Sequence, residues 1–229
     1  DFVKPGEDAL LELSLERTQG LGRFIRFSPR LTEPAEIFAV PESHIERMRF
    51  STDFDKDYRN ATLQLWTKVS GSPEGSIRIS ITGQDGKKLA VSPSTIRLPK
   101  DMDEFRYNFT VRNPKKWDAE HPNMYHVTLS LLDSKGKVTE TLKEDIGFRK
   151  VELKGKQMFI NGQEVKFRGL WGSDDPKLMR DLNINHTRQK WATEAFLDQS
   201  DEYGVYVLDE NAIDFAKFGA ELDSVYRYQ

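Results

Sequence analysis

The chain has 229 residues, of which 37% are hydrophobic and 11% aromatic, so it can bury the core of one large domain or two modest ones. Its 34 Lys and Arg are interleaved with 37 Asp and Glu, and this balance argues against a nucleic-acid partner. The absence of cysteine excludes disulfides, thiolate zinc sites and cysteine nucleophiles, and no membrane span or signal peptide is indicated. We therefore expect a soluble globular protein with neither nucleic-acid nor membrane partners.

The first predicted segment, residues 1–43, has an irregular pattern. It contains LLELSLE, which alternates like a strand, but prolines interrupt much of the remaining segment. We expect a few strands here without a core of their own.

The second segment, residues 44–150, is almost wholly β in character. Alternating runs such as ATLQLWTKV, SIRISITG, EFRYNFTV and MYHVTLSLLD are separated by turn sequences such as GSPEG, NPKK and DSKGK. About seven short strands in this length predict an antiparallel sandwich of immunoglobulin type. Large aromatic residues dominate such cores, so we expect Trp66 to lie between the sheets, with ligand stacking as the alternative.

In the third segment, residues 151–229, the pattern changes to a mixture of helix and strand. MFINGQEVKFRG predicts a hairpin around Asn161-Gly162, and PKLMRDLN predicts a short helix. Thr193 and Gly204 are suitable caps for a second helix, which leads into the apolar run VYVL of a parallel strand. A last amphipathic helix is expected from the spacing of apolar residues after Asp214, namely Phe215, Phe218, Leu222 and Val225.

Three stretches together resemble glycoside hydrolase family 2, and in particular its large β-galactosidases. They are NPKKWDAEHPNMYHVTLSLLDSKGKV, IGFRKVELKGKQMFINGQEVKFRGL and DEYGVYVLDEN. The resemblance implies that residues 1–43 are the remnant of an N-terminal jelly-roll sugar-binding domain. It also implies that residues 44–150 form an immunoglobulin-like sandwich and residues 151–229 part of a (β/α)8 barrel. The expected fold class is therefore mainly β, with a sandwich followed by a small, incomplete α/β segment.

The chemistry implied by this resemblance is retaining glycoside hydrolysis, which requires two carboxyl groups about 5 Å apart. In the family the acid/base glutamate follows an asparagine, and no Asn-Glu dipeptide occurs in this sequence. The nucleophile of the family lies further downstream still. We therefore expect no catalytic residue in this chain and no glycosidase activity from the chain alone.

The resemblance also implies candidate binding residues. Trp171 and Asp174 lie where the family has a strand end rich in asparagine, arginine and histidine, and Arg188 matches a family arginine. These three are the expected substrate-binding residues. Asp214 is the expected metal ligand, because it takes the place of a magnesium-binding glutamate of the β-galactosidases, although the family's histidine is replaced by Ala216. No cofactor is expected.

Two interpretations of function remain open at this stage. The chain is either part of a family 2 hydrolase that acts on carbohydrate, with a bacterial periplasmic or cytoplasmic location, or a stand-alone module that binds carbohydrate or protein without catalysis. A separate carboxylate enzyme built on Asp209, Glu210 and Asp214 has little support, since no base, nucleophile or phosphate loop accompanies them. Strand termination and helix capping are the simpler role for these acids.

An incomplete barrel has open sheet edges and exposed apolar side chains, for which Phe167, Val205, Val207 or their neighbours are candidates. The sequence analysis predicts that the final helix covers this sheet, or that a second copy of the chain does so in a homo-oligomer.

Overall fold

The computed structural model describes residues 12, 39–71, 75–99, 103–190 and 192–210. The predicted jelly-roll remnant falls almost wholly outside these residues, as does the predicted final helix. In chain order the elements are β1 (His44–Phe54), β2 (Ala61–Ser70), β3 (Gly75–Gly83), β4 (Val91–Ser92), β5 (Thr95–Arg97), β6 (Glu104–Val111), β7 (Met124–Asp133), β8 (Val138–Gly147), β9 (Val151–Lys154), β10 (Gln157–Ile160), β11 (Gln163–Glu164), β12 (Gly169–Trp171), α1 (Pro176–Asp181), β13 (His186–Lys190), α2 (Glu194–Tyr203) and β14 (Tyr206–Glu210). The protein is mainly β, as predicted.

Strands β1 to β8 form an antiparallel sandwich. One sheet has the order β1-β2-β6-β4, and the other has the order β5-β3-β7-β8. A constant-type immunoglobulin domain has four strands in one sheet and three in the other. The sheet β1-β2-β6-β4 and the strands β3-β7-β8 match this arrangement, and β5 adds an edge strand beside β3. The predicted fold class is confirmed.

The core of the sandwich follows from the alternation along its strands. In β2, every second residue from Ala61 to Val69 is buried, because successive side chains of a strand point to opposite faces. β3 and β7 present matching rows from the facing sheet. The inward residues of these three strands include Leu63, Leu65, Val69, Ile77, Ile79, Ile81, Val127, Leu129 and Leu131.

The prediction that Trp66 lies in the sandwich core is wrong. Its neighbours Leu65 and Thr67 are buried, so the period of two places Trp66 on the outer face of the sheet, where it is half-buried. The aromatic residues of the core are supplied by other strands and by the segment after β8, among them Phe109 and Phe148.

The hairpin after the sandwich forms at the predicted position. Ile160 pairs with Gln163, and the two residues between them, Asn161 and Gly162, have φ values of 52° and 80°. Positive φ at both central residues is typical of the type I′ turn, whose twist suits a two-residue hairpin. With β9, this hairpin makes a small three-stranded antiparallel sheet.

The last described sheet is parallel, with the order β12-β13-β14, and α1 and α2 connect its strands. Helix α2 has the predicted caps. The side chain of Thr193 accepts a hydrogen bond from the backbone N–H of Phe196 at 3.3 Å, and Gly204 adopts the left-handed conformation with φ 74°. The predicted passage from a capped helix into a parallel strand is confirmed by the pairing of β13 with β14.

Trp117, which is 1% exposed, joins the sandwich to the parallel sheet. Its indole Nε1 donates a hydrogen bond to the backbone carbonyl of Asp201 at 2.7 Å, and its ring meets the ring of Tyr206 edge-on at 5.4 Å. The guanidinium of Arg149 lies over the same ring at 4.8 Å. The Nδ2 of Asn161 donates to the backbone carbonyl of Trp117 at 3.0 Å. Trp117 therefore contacts α2 and β14 through its side chain and the hairpin through its backbone, and it fixes how the parallel sheet docks.

Candidate functional site

The carboxyl ends of β12, β13 and β14 bring a group of polar and aromatic side chains to one face of the parallel sheet. Trp171 pairs with Arg188, which pairs with Leu208, and Lys190 pairs with Glu210. Residues in register on parallel strands share a face, and so do residues two apart on one strand. We call Trp171, Arg188, Lys190 and Glu210 the strand-end cluster.

Charge pairing organises the strand-end cluster. The Nη2 of Arg188 lies 2.9 Å from Oε2 of Glu210, and the Nζ of Lys190 lies 3.7 Å from Oε1 of the same carboxylate. The Arg188 guanidinium is 6.0 Å from the centroid of the Trp171 ring, and Trp171 is 72% exposed. The cluster thus presents an open indole beside a carboxylate that two cations hold in place.

The loop after β12 and the start of α1 support the cluster. The N–H of Gly172, which has φ 73°, donates to the carbonyl of Arg188 at 3.3 Å, and the side chain of Gln189 donates to the carbonyl of Ser173. Asp175 caps α1, since its Oδ1 accepts from the N–H of Leu178 at 2.9 Å. These contacts tie the loop to β13 and hold Trp171 beside Arg188.

The two acids that end the run VYVLDE have different surroundings. The Oδ1 of Asp209 accepts a hydrogen bond from the backbone N–H of Ala192 at 3.2 Å, so it caps the segment that precedes α2. Glu210 instead forms the ion pairs of the cluster. The strand-end cluster can therefore donate to hydroxyl groups and stack on a ring, but each of these carboxylates already has a partner.

The structure brings together two of the sequence-predicted binding residues, Trp171 and Arg188. Asp174 is exposed in the loop between β12 and α1, and it makes no hydrogen bond or ion pair with any residue that the structure describes. Asp214, the predicted metal ligand, lies outside the described residues. The described ranges hold no group of three or more histidine, aspartate or glutamate side chains placed to bind a metal ion.

Sequence reasoning missed Lys190 and the partnership of Glu210 with Arg188. The signal was available in part, because Lys190 lies two residues after Arg188 and must share its face. Pairing Glu210 with both cations required the register of β13 against β14, which the composition of either strand does not determine.

A second charged region lies between β8 and α2. A cleft of about 840 Å³ is lined there by six acids: Glu144, Asp145, Glu194, Asp198, Asp201 and Glu202. Burial raises the pKa of Glu144, and the nearby carboxylates add to this effect. Burial also raises the pKa of Asp201, an effect that Arg149 partly opposes. Because Glu144 lies on β8 and Asp201 on α2, these groups bear on how α2 sits beside β8 and not on the strand-end cluster.

One histidine of the parallel sheet has a perturbed pKa. His186 begins β13, and its ring lies 5.1 Å from the ring of Phe167. Burial lowers its pKa, because the charged imidazolium is disfavoured away from water.

Among the described residues, no helix is long and apolar enough to cross a membrane.

Comparison with known proteins identifies the family. Residues 43–149, which include the whole sandwich, match the model of glycosyl hydrolases family 2. The β-galactosidase of Clostridium acetobutylicum is 28% identical over an alignment that covers 93% of this chain and 26% of that protein. The chain belongs to glycoside hydrolase family 2. This family membership makes it a relative of carbohydrate hydrolases.

A second curated relative of this family 2 chain is also a β-galactosidase. The β-galactosidase of Pseudoalteromonas haloplanktis is 31% identical over 78% of this chain and 19% of its own length. The chain thus spans about a quarter, or less, of the length of these curated relatives.

Solved structures of the family share the fold. The β-glucuronidase of Parabacteroides merdae superposes with a TM-score of 0.62 at 22% identity, over 75% of this chain and 24% of that one. The β-glucuronidase of Ruminococcus gnavus, in complex with D-glucuronic acid, gives 0.60 at 19% identity, over 76% of this chain and 31% of that one.

Proposed function

We propose that residues 1–229 are part of a β-galactosidase-like family 2 hydrolase that acts in carbohydrate breakdown, and that its catalytic carboxylate pair lies outside these residues. The observation that carries this proposal is the strand-end cluster. Enzymes with (β/α)8 barrels bind their substrates at the carboxyl ends of the strands, which is the end of the sheet that bears Trp171, Arg188 and Glu210.

The proposal assigns a part to each segment. Residues 1–43 end an N-terminal jelly-roll domain, residues 44–150 are the immunoglobulin-like domain, and residues 151–229 begin the barrel. The three parallel strands and their two helices support the last assignment, because they have the alternating order from which such barrels are built.

Within the proposed barrel, Trp171 stacks against a sugar ring and Arg188 holds Glu210 while donating to the substrate. Asp174 in the following loop reaches the same ligand through its carboxylate, and Asp214 contributes to a metal site. Retaining hydrolysis needs a carboxylic acid and a second carboxylate about 5 Å away. Asp209 and Glu210 do not offer this pair, since one caps a backbone N–H and the other is bound by two cations.

The test is hydrolysis of nitrophenyl β-galactoside, β-glucuronide and β-mannoside by the purified chain, with an active β-galactosidase as the assay control. We expect all three substrates to remain intact. Turnover that persists through purification and is abolished by Glu210→Gln would overturn the proposal, because it would place catalysis within this chain.

A stand-alone module that binds carbohydrate or protein without catalysis is the second candidate. The sandwich favours it, because the sandwich has a complete core of its own and does not need a barrel to bury its apolar residues. The length of the native gene decides between the two. A gene that encodes five further βα units selects the hydrolase, and a gene that encodes none selects the module.

A further inference from the structure

The outer face of the β1-β2-β6-β4 sheet carries an aromatic and basic row far along the chain from the strand-end cluster. Trp66 on β2 pairs with Arg49 on β1 and with Arg106 on β6, so the three side chains lie side by side across the sheet. The adjoining row contains Gln64 and its partner Asn108. We call these five residues the outer-face row.

Hydrogen bonds fix the central side chains of the outer-face row. The indole Nε1 of Trp66 donates to Oε1 of Glu104 at 2.9 Å, and Nε2 of Gln64 donates to Oδ1 of Asn108 at 3.1 Å. An open depression of about 480 Å³ is lined here by Arg49, Ser51, Gln64, Trp66, Glu104 and Arg106. Since the single polar group of the indole is already bonded, the part of Trp66 that remains open is an apolar ring.

The two arginines of the row are exposed, and neither forms an ion pair with another residue in the described part of the chain. The neighbouring Lys68, in contrast, lies 2.8 Å from a carboxylate oxygen of Glu46. Adjacent strands are about 4.8 Å apart, so the backbones of Arg49 and Arg106 are separated by roughly 10 Å, with Trp66 midway. The depression therefore has the Trp66 ring at its centre and an arginine on the strand at each side, and its one carboxylate, that of Glu104, accepts the hydrogen bond of the indole.

We propose that the outer-face row binds an acidic oligosaccharide, of the class that contains hexuronate residues. The apolar face of one sugar ring packs on Trp66, and carboxylates on that ring or its neighbours pair with Arg49 and Arg106. A guanidinium suits this partner because its planar fork matches the two oxygens of a carboxylate. This surface goes beyond the proposed function, since it anchors a chain of sugars away from the strand ends and needs no catalytic group.

The experiment is isothermal titration of the full chain with trigalacturonate, with the uncharged trisaccharide cellotriose as the matched ligand. The tested variants are Trp66→Ala and the double variant Arg49→Gln with Arg106→Gln. Arg78→Gln is the control variant, because Arg78 is an exposed arginine on β3 of the other sheet. Trp171→Ala tests the strand-end cluster separately.

We expect saturable binding of trigalacturonate, no measurable binding of cellotriose, and weaker binding as salt is raised. The double variant should bind at least tenfold more weakly, which is the loss expected when charge-assisted hydrogen bonds are removed. The Arg78 variant should bind like the unmodified chain. Circular dichroism and melting temperature verify the fold, and the double variant alters only exposed side chains, so its result stands even if Trp66→Ala unfolds.

Three outcomes of the titrations would overturn the proposal. They are equal binding of the charged and uncharged trisaccharides, binding unchanged in the double variant, and binding abolished by Trp171→Ala. Self-association that is lost in the double variant would also overturn it, because the face would then be an interface between copies of the chain. A failed hydrolysis assay leaves this proposal intact, since the titration does not depend on turnover.

Discussion

Asn161 occupies a left-handed backbone conformation and is nevertheless buried, with only 8% of its surface exposed. Its Oδ1 accepts from the N–H of Lys150 at 2.9 Å, and its Nδ2 donates to the carbonyl of Trp117 at 3.0 Å. Asparagine tolerates positive φ better than most residues, and its amide has both a donor and an acceptor. This position therefore needs asparagine for two independent reasons.

Replacing Asn161 with alanine should destabilise the protein, because it leaves a buried carbonyl of Trp117 and a half-buried N–H of Lys150 without partners. Asn183→Ala is the matched control, since Asn183 also has positive φ but bonds through an exposed side chain. Both substitutions place alanine at a positive φ, so the backbone strain of that conformation is common to the two variants. We expect Asn161→Ala to lower the free energy of unfolding by about 2 kcal/mol more than the control. Urea unfolding measures this difference, and equal losses would contradict it.

Individual residues were predictable from the sequence where their role is local. The Asn161-Gly162 turn and the Thr193 cap depend on a few neighbouring residues, and both were found as predicted. Trp66 was misassigned because its size was given more weight than the alternation of its own strand. The Arg188–Glu210 ion pair depends on the register of two strands separated by α2, which is information that neither strand contains.

At the scale of elements, α2 faces β8 across a cleft lined by acids. The pKa values of Glu144 and Asp201 are raised, chiefly by burial. A carboxyl whose pKa is higher in the folded than in the unfolded protein adds stability at low pH, and that stability is lost as pH rises through the folded pKa. These two groups therefore weaken the fold at neutral pH.

The double variant Glu144→Gln with Asp201→Asn should accordingly be more stable than the unmodified chain at pH 7. The advantage should shrink as pH falls toward the ordinary carboxyl pKa values of 4.5 and 3.8, where the native carboxyls become protonated. Other acids such as Glu152 have lowered pKa values and act in the opposite sense, so the informative quantity is the difference between the two proteins. Chemical denaturation at several pH values measures it, and an advantage that grows with acidity would refute this account.

The end of α2 makes a close approach to the segment between β6 and β7. Gly204 has φ 74°, and a Cβ at this position would lie 2.5 Å from the carbonyl oxygen of Ala119. Gly155 has φ 64°, but a Cβ there would have no atom within 4 Å. Both glycines have the positive φ that disfavours other residues, but only Gly204 has atoms close to the position of an added Cβ.

Gly204→Ala should therefore cost more than Gly155→Ala. The second change incurs left-handed strain of about 1 kcal/mol, and the first adds a collision with backbone that should bring the total above about 2 kcal/mol. Melting temperatures of the two variants test this order. Similar temperatures would mean that α2 can shift away from Ala119 at little cost.

At the scale of the whole molecule, the sandwich was the part most fully predicted, since its alternating strands and turn sequences determine an antiparallel arrangement. The parallel sheet buries its apolar side chains less completely. Val205 is 2% exposed, but Phe167, Leu170 and Leu208 are 42%, 46% and 56% exposed. The sequence-based expectation that something covers this sheet concerns either residues outside the described ranges or a second copy of the chain.

Light scattering on the full chain and on a chain ending at Asn211 tests that expectation. If the segment beyond Asn211 provides the cover, the full chain should be monomeric and the shortened chain should associate or lose solubility. If a second copy provides it, the full chain should already be a dimer or larger. A monomeric full chain whose shortened form is equally soluble and equally stable would exclude both forms of cover.

The contacts of Trp117 also determine how the described part of the protein comes apart. Its indole and backbone bond to α2, to the hairpin and to the strand end of the sandwich, so none of these can leave without exposing groups of the others. Removing the parallel sheet and α2 would expose the ring of Trp117 and leave its indole N–H and the carbonyl of Asp201 without their hydrogen bond. The sandwich has no other group that replaces these contacts among the described residues. The sandwich and the parallel sheet should accordingly melt as one cooperative unit, and a single transition should be seen by both near- and far-ultraviolet circular dichroism.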